Sequence, residues 1–380
     1  MPRCLDEFSL VATADQMYRR PFPGADITVP SAGGDQKREE ERSPSRTESR
    51  SNENEEMVEI RKMIGGEVEH ISVMLDRCVE LLSPSIERAD NPVVVDATLG
   101  LGGHSEALLK KYPHLIVIGL DRDLEAIARA TSRLAPFHDR FFAKHSVYDL
   151  IANCIAELGY TKVDGVLFDL GISSMQVDQT ERGFSYSHDA PLDMRMDRSR
   201  GTTAGELINT GSREELISIL RKFGEERFAP RIVDAIIRQR EIAPMNSTVQ
   251  LAEIVKNSIP AATRRTGGNP AKRTFQALRI AVNDELGALS RALPDSLSAL
   301  KVGGRLVVMS FQSLEDRIVK QLFSEITTSG TPRDLPVELP QYAAKFALVV
   351  KGSEIASDQE IQFNSRSQSV RLRGVERVAA

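Results

Sequence analysis

The sequence predicts an α/β protein with a parallel, doubly wound, Rossmann-like sheet and an all-helical insertion. Short β-branched runs alternate with helix-length segments from about residue 70 to residue 169. The first of those strands breaks into a glycine turn that opens a helix. After residue 169 the alternation stops, and no convincing strand returns until about residue 304.

Strands are expected at 93–96, 115–121, 140–145, 163–169 and 304–311. Helices are expected at about 72–82, ahead of Pro84, and at 104–111, 123–134 and 149–158. Within the insertion, candidate helices cover 204–209, 213–223, 228–240 and 249–258. Pro230 falls early in its helix, where a missing N–H costs least. One long helix, about 274–300, should return the chain to the sheet. Phe275, Leu278, Val282 and Leu286 recur along it at helical spacing and should face the core. A helix at 313–326 and a pair of strands at 346–351 and 369–375 should close the fold. The expected organisation is a tail over 1–66, a first sheet segment over 67–178, a helical substrate-recognition insertion over 179–270, and a second sheet segment over 271–380.

The tail expectation rests on residues 37–56, which are nearly all charged or small and polar. Such a run buries too little apolar surface to offset the entropy of ordering. The rest has ample apolar material: 41% of the 380 residues are hydrophobic, while only 5% are aromatic and Trp is absent. A formal net charge of −5 gives no global sign of nucleic-acid binding. Cys4, Cys78 and Cys154 are scattered and odd in number, which fits a reducing cytoplasm rather than a disulfide framework or a metal site. No apolar run approaches the ~20 residues of a membrane helix.

The chemistry starts at Val93-Val-Val-Asp-Ala-Thr-Leu-Gly-Leu-Gly-Gly-His-Ser105. Gly100, Gly102 and Gly103 lack Cβ atoms where the backbone turns and lies close to a ligand. The free N–H groups of the following helix point back at that ligand. A Walker-type phosphate loop needs Gly-Lys-Ser/Thr, which is absent. A dinucleotide fold prefers G-x-G-x-x-G/A, but Ser105 stands at the third position. S-adenosylmethionine has no pyrophosphate, and its ammonium favours an acid beside the loop, which Asp96 supplies. Asp121 ends the second strand about 20 residues on, placed to hold a ribose diol. Asp169 ends the fourth strand, at the edge where ligands gather in open α/β sheets.

These residues belong to longer motifs. They include Gly119-Leu-Asp-Arg-Asp123, Asp164-Gly-Val-Leu-Phe-Asp-Leu-Gly-Ile-Ser-Ser174, Glu181-Arg-Gly-Phe-Ser185 and Pro191-Leu-Asp-Met-Arg-Met-Asp197. Others are Gly224-Glu-Glu-Arg-Phe228, Arg273-Thr-Phe-Gln-Ala-Leu-Arg-Ile-Ala-Val-Asn283 and Ser313-Leu-Glu-Asp-Arg-Ile-Val-Lys320. With the glycine turn, they resemble the bacterial small-subunit (16S) ribosomal RNA cytosine-N4 methyltransferases, the RsmH or MraW family, over nearly all of residues 70–377. Local departures are Ser72-Val73 for Pro-Val, Asn269 for a common His, Asn364-Ser365-Arg366 for Asn-Pro-Arg, and Gln312 for a common His. Gln312 is in keeping with an actinobacterial-like branch, and it excludes an imidazole acid or base at that position.

The resemblance implies a class I methyltransferase sheet that binds S-adenosylmethionine and methylates one cytidine of the decoding centre, with 16S rRNA in the small ribosomal subunit as partner. It implies no metal and no membrane, and it is compatible with a homodimer. It carries cofactor roles onto Gly102, Gly103, His104, Asp121, Tyr148, Asp169 and Gln176.

Asp169 and Asp193 are the candidate catalytic acids. Each is placed to accept a hydrogen bond from the cytosine amino group. Phe184 or Tyr186 would stack on the base, and Arg195 would pair with phosphate. The alternative for this group is a buried Asp193–Arg195 pair with Phe184 in the core. Residues 254–283 contain no acid, and there Arg264, Arg265, Lys272 and Arg273 are candidate RNA contacts. Arg366, Arg371, Arg373 and Arg377 form a second basic group. Ser313-x-x-Asp316 reads as a helix capping box. Rival readings are a DNA or protein amino-methyltransferase, a non-catalytic RNA-binding assembly factor, and a nicotinamide dehydrogenase, which Ser105 and Asp96 disfavour.

Overall fold

A computed structural model describes residues 72–261, 269–332 and 340–380. The expected tail over 1–66 lies outside the described residues. So do Arg264 and Arg265.

The strands are β1 (Val93–Asp96), β2 (Ile116–Asp121), β3 (Phe141–His145), β4 (Val163–Asp169), β5 (Leu300–Ser310), β6 (Phe346–Leu348) and β7 (Arg371–Arg377). They form one sheet in the order β3-β2-β1-β4-β5-β7-β6. The first five are parallel, and β7 runs antiparallel between β5 and β6. The last two strands pair as expected, although the long segment between them makes no simple hairpin.

Alternation along the central strands separates two cores. Val94, Leu167, Val307 and Met309 pack with one apolar cluster. Val93, Val95, Val166, Phe168, Leu306 and Val308 pack with another. Both faces of these strands are therefore covered, which is why they read as continuous apolar runs. Phe168 is fully buried, a burial worth roughly 1.5–3 kcal/mol.

The register aligns the chemistry. Asp96 pairs with Gly119 of β2 and Leu167 of β4, and Asp169 pairs with Met309 of β5. The carboxyl ends of β1, β2, β4 and β5 therefore share one edge of the sheet. Gly119 has no Cβ because one would stand 2.7 Å from Leu99 Cδ1, a side chain of the glycine turn.

Between β4 and β5 the described residues are helical or irregular, with one isolated bridge, Pro191 to Ser247. Helices Ala204–Thr210, Arg213–Gly224, Ala229–Ile242 and Thr248–Ser258 follow one another. Thr203 and Ser212 cap the first two through reciprocal bonds with Glu206 and Glu215.

Two expectations are corrected. The helix at Leu75–Glu87 runs through Pro84 rather than ending before it. The carbonyls around the proline find other donors: Ser83 Oγ donates to Val79, Ser85 Oγ to Leu82 and Arg305 to Leu81. The long return helix is two helices, Lys272–Asn283 and Glu285–Ala299. They break at Asp284, which adopts φ 47°. Arg122 takes the Asn283 carbonyl, while the Asn283 amide donates to Met194 O and accepts from Met196 N. These contacts hold the chain off the helical path. Finally, Phe275 and Leu278 are buried in a third apolar cluster with Leu216, Leu220, Ile232 and Leu251, and Val282 packs against it. They face a core, as expected, and it is that of the helical region.

Candidate active site

The turn after β1 is built from within. Ser105 Oγ donates to Asp96 Oδ2 at 2.7 Å, and the Thr98 amide donates to Asp96 Oδ1 at 3.3 Å. Gly100 and Gly102 both adopt positive φ, 52° and 78°, a backbone that favours glycine. The Gly100 amide donates to Asp121 Oδ2 at 2.8 Å, and Asp123 N donates to Asp121 Oδ1 at 2.8 Å. Thr98 Oγ1 accepts the Asp169 amide at 2.6 Å. The ends of three strands are thus tied into one wall.

That wall bounds a cavity of about 410 Å³. From the sheet side, Gly100, Gly103, His104, Asp121, Tyr148 and Asp169 line it. Residues 170–173, after β4, continue the wall to Gln176. From the opposite side come Lys272, Gln276 and Arg279 on one helix, with Glu285 on the next. Phe311, Gln312 and Glu315, after β5, complete it. A cavity of this size, mostly apolar with a few convergent polar groups, suits a small-molecule ligand.

Two cofactor candidates sit behind the wall. Asp96 is buried and does not line the cavity, because Ser105 and the Thr98 amide occupy its oxygens. Its carboxylate thus holds the turn from behind the cavity lining. Gly102 is likewise absent from the lining; a Cβ there would stand 3.1 Å from Leu134 and 3.3 Å from Ala130. Its missing side chain lets the turn pack on helix Leu124–Arg133 rather than on the ligand.

The carboxyls of Asp96, Asp121 and Asp169 are each pushed up to about 6, burial being the first cause. Hydrogen bonds to Asp96 and Asp121, and the nearby His104 for Asp169, only partly offset it. His104 Nε2 donates to Val73 O at 3.1 Å, and its Nδ1 stands 3.8 Å from Asp169. Near neutral pH this edge holds desolvated negative charge, which favours a cationic ligand group.

Tyr148 donates from its hydroxyl to Glu285 O and stands edge-on to Phe168, with centroids 5.6 Å apart. The Arg122 guanidinium lies 5.4 Å from the Tyr148 ring centroid. Gln176 is buried, caps its own helix with Ser173, and donates to Asp123 Oδ2 at 2.9 Å. Arg182 meets the same carboxylate oxygen at 2.9 Å and also donates to the carbonyls of Arg195 and Met196.

Asp193 and Arg195 are not in this site. Arg195 holds both Asp193 oxygens, at 2.7 and 3.1 Å, and neither residue lines the cavity. Burial alone would raise the Asp193 carboxyl, but the Arg195 hydrogen bonds hold it below the usual range. Phe184 packs against the helical core, and Tyr186 meets Phe275 edge-on at 5.4 Å. The structural alternative for this group is the one observed. Asp193 and Arg195 thus pair with each other outside the cavity lining.

Of the basic candidates, Lys272 lines the cavity; Arg273 does not, and donates to Glu225 O at 3.4 Å. Arg366 also lines it, near Asp178 at 3.3 Å, whereas Arg373 is committed to Asp316. The expected Ser313–Asp316 box is shifted by one residue. Gln312 is the cap, and Glu315 accepts from the Phe311 and Gln312 amides. Asp316 instead turns to Arg373, which pins it to the neighbouring strand.

Sequence reasoning missed Gln276 and Glu285. The signal was present: Lys272, Gln276 and Arg279 recur at i, i+4 and i+7, one polar helix face opposite Phe275 and Leu278. Arg279 and Glu285 form a buried ion pair at 2.8 Å.

Residues 67–378 match the MraW methylase family. The "Ribosomal RNA small subunit methyltransferase H" of Mycolicibacterium smegmatis is 57% identical over 313 residues, covering 81% of this chain and 84% of that protein. The protein of the same name from Saccharopolyspora erythraea is 55% identical over 309 residues, covering 81% of this chain and 93% of the relative. The match spans the glycine turn, the acids after β2 and β4, and the helical region that closes the cavity, so the chain belongs to the MraW methylase family.

Proposed function

We propose that this protein transfers a methyl group from S-adenosylmethionine to small-subunit ribosomal RNA, at the N4 amino group of one cytidine in the decoding centre. The observation that carries the reading is a single cavity with two unlike walls. The carboxyl edge of the sheet forms one. Helix Lys272–Asn283, which is rooted in the helical core, forms the other. One wall suits a nucleoside cofactor, and the other faces an acceptor. The relatives above carry names that specify small-subunit ribosomal RNA.

The residues present fit the cofactor. Asp121 faces the cavity and would hold the ribose hydroxyls. Tyr148 would lie beside the adenine, and Gly100, Gly103 and His104 would border the methionine portion. Asp169 and Gln176 are two further contacts. Asp96 and Gly102 act behind the wall by shaping the turn. When bound, S-adenosylmethionine supplies an electrophilic methyl group. The protein's task is alignment, with reacting atoms held about 3–3.5 Å apart.

A cytosine amino nitrogen is a weak nucleophile because its lone pair is delocalised into the ring. An acceptor for its N–H favours the pyramidal form. Asp169, ionised above about pH 6, and the carbonyls of residues 170–173 are such acceptors. Lys272 on the cavity wall would meet RNA phosphate. Arg264, Arg265 and Arg273 belong to the same acid-free run. A ribosomal substrate would place the work in the cytoplasm, on the small subunit.

The test is mass spectrometry of small-subunit RNA from a strain lacking the protein, with methylation restored in vitro by purified protein and S-adenosylmethionine. The reading requires one N4-methylcytidine to disappear and return. An unchanged modification map would reject it.

A further inference from the structure

The segment between β6 and β7 reaches one end of the cavity. Within helix Asp358–Phe363, Glu360 Oε1 accepts the Met74 amide at 2.6 Å, and Val370 packs in one apolar cluster with Val73. The Val73 carbonyl in turn accepts His104 Nε2 at 3.1 Å. Between these two ties lies the short helical turn Ser365–Ser369, where the Asn364 side chain accepts the Arg366 amide at 3.2 Å. Arg366 and Ser369 line the cavity together with Ser72, Val73 and His104. The turn therefore borders the end of the cavity where His104 lies.

Charge is lopsided at that end. The sheet edge presents Asp169, with Asp96 buried behind it, which suits a cationic ligand group. The methionine portion of S-adenosylmethionine carries an ammonium, a sulfonium and a carboxylate. An acidic edge leaves that carboxylate without a partner. Other guanidinium groups on the cavity wall are committed. Arg133 holds Glu106 at 2.6 Å, Arg279 holds both oxygens of Glu285, and Arg122 holds the Asn283 carbonyl. Lys272 belongs to the helical wall. Arg366 differs: its Nη2 stands 3.3 and 3.4 Å from the Asp178 oxygens, and the two side chains are 45% and 67% exposed. A long, solvated ion pair contributes little and exchanges partners at small cost.

We propose that the Arg366 guanidinium binds the α-carboxylate of S-adenosylmethionine, leaving Asp178 to solvent. This rests on the cofactor placement above and adds how the amino-acid end is recognised. The planar fork of arginine can meet both carboxylate oxygens. The acidic edge attracts the ammonium and sulfonium, so the two signs of charge on the ligand meet opposite charges on the protein. Such a site discriminates against a ligand that keeps the adenosine and the sulfonium but lacks the carboxylate.

The experiment is isothermal titration calorimetry on the full chain. The ligands are S-adenosylmethionine, S-adenosylhomocysteine and decarboxylated S-adenosylmethionine, which keeps the sulfonium and the amine. Arg366→Ala should raise the Kd for the two carboxylate ligands about 10- to 100-fold. The Kd for the decarboxylated analogue should change less than about twofold, so that the wild-type preference for the carboxylate collapses. Arg366→Lys keeps the charge without the fork and should fall between wild type and Arg366→Ala. Equal weakening of all three ligands would mean lost structure rather than a lost carboxylate contact, and it overturns the proposal. Unchanged affinity for all three overturns it as well. If subunit binding then weakens with a shallower salt slope, the arginine meets RNA phosphate instead. A wild type that binds none of the ligands would bring down the cofactor reading itself, and the proposal with it. That outcome is distinct from a wild type that binds S-adenosylmethionine and an Arg366→Ala protein that binds it equally well.

Discussion

The Asp121 carboxylate accepts the Gly100 amide at 2.8 Å, joining the end of β2 to the turn after β1. One oxygen organises the turn while the side chain faces the cavity. Replacing Asp121 with Ala removes both the expected ribose contact and this tie. S-adenosylmethionine affinity should fall on the order of 10- to 100-fold, the loss expected for hydrogen bonds to a charged group. Isothermal titration calorimetry measures it, and an unchanged Kd would remove Asp121 from the ribose role.

The raised carboxyl of Asp96 gives a signed pH dependence. Its folded value is about 6 against an ordinary 3.8, so the folded state holds a proton that the unfolded chain releases. Its contribution is fully present below about pH 4, is lost as pH rises through about 6, and is flat above. Relative to Asp96→Asn, the wild type should lose roughly 3 kcal/mol across that window. Urea unfolding of both proteins at pH 4, 5, 6 and 7.5 tests this, and parallel curves would contradict it.

Ligand binding should run the other way. Asp121 and Asp169 also titrate near 6, and their ionised forms are the ones that attract a cationic ligand. The Kd for S-adenosylmethionine should rise as pH drops from 7.5 through 6 to 5. A flat Kd over that range would mean that neither carboxylate faces the cofactor's charge.

Arg182 is 3% exposed and bonded to Asp123 and two carbonyls. Arg182→Ala leaves Asp123 buried without its charge partner, although Gln176 still donates to it. The expected cost is about 3–5 kcal/mol, read as a fall in denaturation midpoint. A loss under 1 kcal/mol would show that Gln176 and the Glu125 amide suffice.

Asp193 and Asp169 separate structure from chemistry. Asp193→Asn should lower stability by about 1–3 kcal/mol and leave kcat within twofold at a temperature where the protein is folded. Asp169→Asn should lower kcat at least tenfold with a smaller effect on stability. Paired kinetics and thermal melts decide, and the reverse pattern would return Asp193 to the active site.

Lys272→Ala should weaken subunit binding and reduce the slope of log K against log salt by about one. Filter binding from 50 to 300 mM salt measures it. An unaltered slope would mean that Lys272 meets no phosphate.

Much of this was legible in the sequence because it is local. The run Val93-Val-Val-Asp96 and the glycines after it fix a buried strand and a tight turn whatever surrounds them. The helical stretches after β4 announced themselves by spacing and by the Thr203 and Ser212 caps. The place of Asp121 and Asp169 on the cavity wall was legible because parallel strands put their carboxyl ends on one edge.

What needed the tertiary structure was the direction in which each side chain spends its polar atoms. Asp96 and Asp169 look alike in sequence, yet Ser105 turns Asp96 away from the cavity while Asp169 stays on its wall. The sequence offers Asp193 and Arg195 either as contacts to base and phosphate or as a pair with each other, and the structure pairs them. The break at Asp284 follows from Arg122, 162 positions earlier, capturing the Asn283 carbonyl. It turns one helix face toward the helical core and leaves Lys272, Gln276 and Arg279 facing the cavity. Periodicity and turn chemistry are set by neighbours in the chain, so the sequence determined the elements and the edge where chemistry gathers. Hydrogen-bond partners and ion pairs are set by neighbours in space, so only the folded structure decided which charges remain for a ligand.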